Sequence, residues 1–93
     1  SPQSVTLEGD TIKESCFFSK RTFKAHDIET IKINRRVLNF GRGQSAHSFV
    51  DIQAKNGCVI SIEYFADKSP DIYEILSEWH KRNTSIGLTT QRN

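Results

Sequence analysis

Lysine and arginine residues are concentrated in one part of this chain, where they are its most obvious candidates for ligand chemistry. Residues 20–42 contain seven of them and only two acids. Ammonium and guanidinium groups bind phosphate through charge-assisted hydrogen bonds. We therefore expect any anionic ligand to contact the following residues: Lys20, Arg21, Lys24, Arg35 and Arg36.

A solvated sheet face explains the same charge more simply. Lysines on strands keep exposed sheet edges from pairing with other chains, and the formal net charge of the chain is only +2. Arg42 lies close to Phe40, but nucleic-acid binding by stacking needs aromatic residues repeatedly interleaved with basic ones. The sequence therefore favours a solvated face, keeps an anionic membrane surface as an alternative and disfavours nucleic acid.

Catalytic chemistry has little support in the sequence. His26 and Asp27 are adjacent, and neighbours on a strand point to opposite faces. Neither His47 nor His80 has a residue nearby in the sequence that could complete a catalytic triad. Partners that are distant in sequence but close in space stay an open alternative. We therefore expect a protein that is not an enzyme and has no small-molecule substrate.

Motifs for a metal or a phosphate loop are also missing from the sequence. Cys16 and Cys58 lie far apart, and neither has a partner at metal-ligand spacing. We expect both to be small buried hydrophobic residues. Gly41 and Gly43 are too close together for a phosphate loop, and no predicted helix follows them. We therefore expect no metal and no cofactor.

Alternation of apolar and polar residues, which is typical of strands, dominates the first two-thirds of the chain. In the clearest unit, residues 45–65, two alternating runs flank Asn56-Gly57, a pair that predicts a type I′ hairpin turn. Gly9-Asp10 predicts another hairpin. With residues 27–34 and 35–43 taken as separate strands, the sequence predicts six or seven antiparallel strands.

One amphipathic helix follows the strands. Ser69 is the predicted N-cap, Pro70 the first helical residue, and the helix is predicted to end near Asn83. Its apolar residues fall at i, i+3, i+4 and i+7, which gives one apolar stripe. We expect a single domain over residues 1–83 and a flexible tail over residues 84–93.

The inward faces of the strands and helix predict the core. Its expected members are Ile31, Ile33, Val50, Ile52, Ile60, Ile62, Ile72, Ile75, Leu76 and Trp79. A curled sheet leaves an open end that a helix can close. We therefore expect a mainly β (α+β) fold, a small bent antiparallel sheet or barrel of six or seven strands capped by one C-terminal helix.

This order of elements resembles the pleckstrin-homology-like (PH-like) superfold, and more narrowly the bacterial PH domains. The segments 7–15, 23–33 and 50–65 and the Trp-bearing helix carry the resemblance, and the pattern over residues 28–31 is the most family-like. The resemblance implies a seven-stranded barrel plugged by the helix, and no catalytic residues. Eukaryotic PH domains hold phosphoinositides with a Lys followed by Lys/Arg-x-Arg, and no Lys/Arg-x-Arg follows Lys20 here.

The resemblance further implies a non-catalytic interaction module. We expect it to work through contacts with an unknown protein partner or with a second copy of itself. Peripheral binding of anionic lipid through residues 20–36 is the alternative. Because the chain contains no methionine, we expect it to be a piece of a longer protein. The resemblance to bacterial PH domains, which are often attached to membrane-spanning segments, implies a membrane-associated bacterial protein. We therefore expect the chain in the cytoplasm or at the cytoplasmic face of a membrane.

Overall fold

The structure is a computed structural model that describes residues 3–85, apart from the side chain of Phe40. Its elements in chain order are β1 (Gln3–Glu8), β2 (Thr11–Cys16), β3 (Ser19–Lys24), a 3₁₀ turn (Ala25–Asp27), β4 (Ile28–Phe40), β5 (Gly43–Ala54), β6 (Val59–Tyr64) and α1 (Ile72–Thr84). Within this part of the chain, α1 is too short and too polar to cross a membrane, and no other helix could do so.

The strands form two antiparallel sheets, β1-β2-β3 (sheet A) and β4-β5-β6 (sheet B). The fold is mainly β with one C-terminal helix, as predicted. The predicted seven-stranded barrel is not seen, because the described residues form six strands in two separate sheets. No turn residue interrupts the chain between Asn34 and Arg35, so the two strands predicted there continue as β4, which pairs with β5 along its length.

Short turns join the strands of each sheet. Gly9-Asp10 connects β1 to β2 as predicted, and Gly9 has a φ of 57°. The Asn56-Gly57 turn joins β5 to β6 but is not type I′, because only its glycine has a positive φ, 93°. Its Gly57 N–H donates to the Ala54 carbonyl oxygen at 3.0 Å. The left-handed glycine therefore lies in the four-residue connection, residues 55–58, between the two strands.

The core lies where α1 packs against the two sheets. Five predicted core residues are buried: Val50, Ile52, Ile60, Leu76 and Trp79. Three more are half-buried and pack against them: Ile31, Ile62 and Ile72. The prediction was wrong for Ile33 and Ile75, which are exposed. Exposure increases along β4 from the buried Ile28 through the half-buried Ile31 to Ile33, because the strand leaves the core there. Ile75 faces an open groove.

Helix α1 begins at Ile72, two residues later than predicted. Asp71 rather than Ser69 is its N-cap, because the Asp71 carboxylate accepts the Glu74 N–H at 3.1 Å. The helix ends at Thr84. The tail predicted for residues 84–93 therefore begins one residue too early, and the rest of it, from residue 86, lies outside the described residues.

The β4–β5 hairpin is the longest hairpin described and extends beyond the core. Strand β6 pairs with β5 only as far as Ser48 and Tyr64, whereas β4 and β5 stay paired as far as Phe40 and Gly43. Residues 36–47 therefore form a two-stranded arm without a third strand. The molecule is accordingly elongated, measuring 60 × 30 × 24 Å.

Candidate functional site

The five basic residues predicted to bind an anion do not form one site. Lys20, Arg21 and Lys24 lie on β3 in sheet A, whereas Arg35 and Arg36 lie on β4 in sheet B. Neighbours on a strand point to opposite faces, so Arg35 and Arg36 are further separated from each other. The structure therefore divides the basic segment among several surfaces.

Arg21 belongs to a polar cluster that joins the two sheets. Its guanidinium lies 2.6 Å from the carboxylate of Glu14, which is buried. The Gln3 side-chain amide donates to the same carboxylate at 2.7 Å and to the carbonyl oxygen of Ser61 at 3.0 Å. Because Arg21 neutralises a buried carboxylate, its charge stabilises the fold and is not free for a ligand.

Arg36 belongs to a second polar cluster, on the outer face of sheet B. Its guanidinium pairs with the buried carboxylate of Asp51 and stacks 4.7 Å from the centre of the Phe49 ring. Asn34 and Ser61 donate to Asp51 at 2.6 and 2.7 Å. Burial raises the pKa of Asp51, but the hydrogen bonds from these three partners outweigh it and hold the pKa below its usual value.

The remaining basic residues of the predicted set are more accessible. Lys24 lies 3.6 Å from Asp10, and both side chains are about half exposed. Among residues 3–85, Lys20 and Arg35 form no ion pair. Of the predicted set, these two are therefore free to meet an external charge.

The arm and the part of β4 that leads into it carry apolar residues that face solvent. Ile33 pairs with the core residue Val50, and Val37 lies four residues further along the same face of β4. Ile33 is 42% and Val37 61% exposed. The core face of sheet B therefore continues beyond the core as an uncovered apolar strip, with Arg35 between the two residues.

A groove of about 300 Å³ lies between β1, β6 and α1. Strands β1 and β6 are the edge strands of their sheets, and the Gln3 side chain bridges their ends. The lining is almost entirely apolar: Val5, Leu7, Ile62, Ile72, Ile75 and Leu76. An apolar concave surface bounded by strand edges is suited to an extended protein segment.

The segment that contains the arm is basic, and the segment that borders the groove is acidic. Residues 30–50, which include the arm, contain four Lys/Arg and no Asp or Glu. Residues 63–78, which lead into and through α1, contain five acids and one lysine. Glu74 and Glu78 are exposed and lie beside Ile75 on the helix, one and three residues away. The two surfaces are therefore complementary in charge and both apolar at their centres.

Ser45, His47 and Glu63 form a hydrogen-bonded trio that the sequence reasoning missed. The Nδ1 atom of His47 lies 2.5 Å from the Glu63 carboxylate, and Nε2 lies 3.0 Å from the Ser45 hydroxyl. A carboxylate only accepts, so Nδ1 of His47 donates to Glu63, and the second hydrogen bond joins Nε2 to the Ser45 hydroxyl. Serine and histidine two residues apart on a strand share a face, but only the β5–β6 register adds Glu63.

This order of groups matches a nucleophile, a base and an orienting acid. The trio lies on the outer face of sheet B, where the His47 and Glu63 side chains are 32% and 40% exposed. Catalysis by such groups depends on preorganised donors in a site that excludes water. We therefore interpret the trio as a clamp between β5 and β6.

The other residues considered for chemistry lie apart. His26 and Asp27 belong to the 3₁₀ turn, not to a strand, and their side chains come within 3.6 Å on the surface. His80 donates from Nε2 to the Ile28 carbonyl oxygen at 3.2 Å. Both cysteines are free thiols, and neither is buried as predicted, because Cys16 is half-buried and Cys58 is exposed. Within residues 3–85, no group of three metal-binding side chains comes together.

Comparison of the chain with protein-family models, with curated proteins and with solved structures finds no match. The resemblance to PH-like domains therefore depends on the sequence segments and the order of elements alone. Any function must be argued from the surfaces described above.

Proposed function

We propose that this chain is a non-catalytic interaction module of the PH-like type that works through protein contacts. The succession of antiparallel strands and the C-terminal helix that packs on them supports the PH-like relationship. The six strands in two sheets are two open halves of such a fold, with β1 and β6 as the facing edges.

The observation that carries the contact role is the uncovered apolar strip that runs from Ile33 onto the arm at Val37. A two-stranded hairpin is marginally stable in water unless it gains a third strand or packs against a helix. Within the described residues, the arm has neither, and both Val37 and the adjoining Ile33 are exposed. A bound protein surface would supply it.

The partner that fits best is a second copy of the same chain. The basic arm of one copy matches the apolar groove and the acidic side of α1 on the next copy. Such a contact joins two different surfaces, so it is heterologous and builds rings or chains of molecules. Arm-to-arm pairing would instead bring together two basic segments, which repel each other.

Lipid binding through the whole 20–36 segment has less support. Arg21 and Arg36 neutralise buried carboxylates, and Lys24 lies near Asp10. A surface basic residue adds about 1 kcal/mol of attraction to an anionic membrane. Of the predicted five, only Lys20 and Arg35 are free to add it, and they lie in different sheets.

Molecular mass as a function of protein concentration tests the contact role. Light scattering or sedimentation should show assemblies larger than the monomer, and Val37→Lys should shift them to monomer. Val59→Lys is the matched control, because Val59 is also partly exposed but lies at the start of β6. A monomer at every concentration, or equal effects of the two substitutions, would overturn the proposal.

A further inference from the structure

Phe17 and Phe18 form the two-residue turn between β2 and β3, and both rings face solvent. Phe17 is 78% exposed, and Phe18 is fully exposed. Phe17 has a φ of 47°, in the left-handed region that bulky residues rarely adopt. Turns of this length favour asparagine and glycine. Two adjacent aromatic rings at such a position are difficult to explain by folding, since neither contributes to the core.

The outer face of sheet A behind this turn is basic and rich in hydroxyl groups. It contains a shallow depression of about 210 Å³ lined mainly by Ser4, Thr6, Lys13, Ser15, Lys20 and Thr22. The other contributors, Glu14 and Arg21, neutralise each other. Lys13 pairs with Glu8 at 2.8 Å. Lys20 lies two residues after Phe18 and forms no ion pair among residues 3–85.

We propose that the Phe17–Phe18 turn inserts into an anionic lipid surface, with Lys20 and the hydroxyl groups of sheet A against the lipid phosphates. Aromatic side chains partition well into the interface between headgroups and acyl chains. The ammonium of Lys20, placed beside the rings, is attracted to the negative surface. This contact is local to one hairpin.

Two features favour a lipid surface over a protein pocket as the occupant. The rings project from a convex tip, which a fluid interface accepts without a complementary shape. The neighbouring cation gives the tip charge complementarity with anionic lipid. This site is separate from the arm and groove proposed for self-association, and it uses neither Arg35 nor Arg36.

Co-sedimentation with phosphatidylcholine vesicles that contain increasing fractions of phosphatidylserine tests the inference. We expect binding that increases with phosphatidylserine and decreases with salt. The double variant Phe17→Ser/Phe18→Ser should bind about tenfold or more weakly. Phe65→Ser is the matched control, because Phe65 is exposed after the end of β6, and it should bind as the wild type does. Lys20→Glu should weaken binding, whereas Lys81→Glu should not.

Insertion depth gives a second readout. In the variant Phe18→Trp, the new indole should be quenched by lipids with brominated acyl chains, whereas Phe65→Trp should not be. Trp79 is buried and gives the same background in both, and a circular dichroism spectrum unchanged from that of the wild type shows that each variant is folded. Absence of vesicle binding at low salt would overturn the inference. Equal binding of the tip variant and the wild type would also overturn it, as would equal quenching of the two new indoles.

Discussion

The indole N–H of Trp79 donates to the carbonyl oxygen of Gly9 at 2.8 Å, and this bond ties α1 to the β1–β2 turn. The ring is 2% exposed. Gly9 takes its left-handed φ of 57° at the same turn. This hydrogen bond adds a polar contact to the apolar packing that holds the helix against sheet A.

Trp79→Phe should therefore lower the free energy of unfolding by about 1–3 kcal/mol, because it removes this hydrogen bond and some buried volume. Urea unfolding followed by circular dichroism measures the change. Tyr73→Phe, a conservative change of a half-buried aromatic residue on the same helix, is the control. A cost no larger than that of the control would show that the bond to Gly9 contributes nothing.

Acid should weaken sheet B through Asp51. The folded pKa of this carboxyl is lower than its usual 3.8, so its stabilising contribution is complete above about pH 4 and is lost as the pH falls through the lowered pKa. Asp51→Asn should cost about 1–3 kcal/mol near neutral pH and should remove part of the acid dependence. Urea midpoints of both proteins between about pH 2 and pH 7 test this. Parallel acid profiles would contradict it.

The Ser45–His47–Glu63 trio should not catalyse ester hydrolysis. Because it is open to water, the rate of p-nitrophenyl acetate hydrolysis by the wild type should equal that by Ser45→Ala. Glu63→Gln should instead loosen the end of β6 and speed amide hydrogen exchange there. A wild-type rate more than about tenfold above Ser45→Ala would contradict the non-catalytic role.

Local patterns were sufficient to predict most of the elements. The Gly9-Asp10 turn, the hairpin around Asn56-Gly57 and the helix each depend on residues close together in the chain, and all three are present. The merging of two predicted strands into β4 was missed, because nothing in the local sequence marks a strand that simply continues. The pairing of β4 with β5 on both sides of this point makes the two predicted strands one.

The polar clusters around Asp51 and His47 depend on how neighbouring strands are aligned, so the sequence alone could not predict them. Arg36 meets Asp51, and His47 meets Glu63, because of how β4, β5 and β6 are aligned. The exposure of Ile33 follows from its place where β4 leaves the core, and the alternation of apolar and polar residues along a strand does not reveal where the core ends. The basic residues that are close together in the sequence therefore lie on several different surfaces of the fold, where they contact different side chains.

The most direct test of self-association is a charge exchange between the base of the arm, where Arg35 adjoins it, and the helix. Arg35→Glu and Glu78→Lys should each lower the assembled mass when measured alone, and an equimolar mixture of the two variants should restore it. In the mixture, each altered arm meets an altered helix and each native arm meets a native helix. Restoration is the predicted result. Two variants that assemble like the wild type, or a mixture that stays monomeric, would contradict the account.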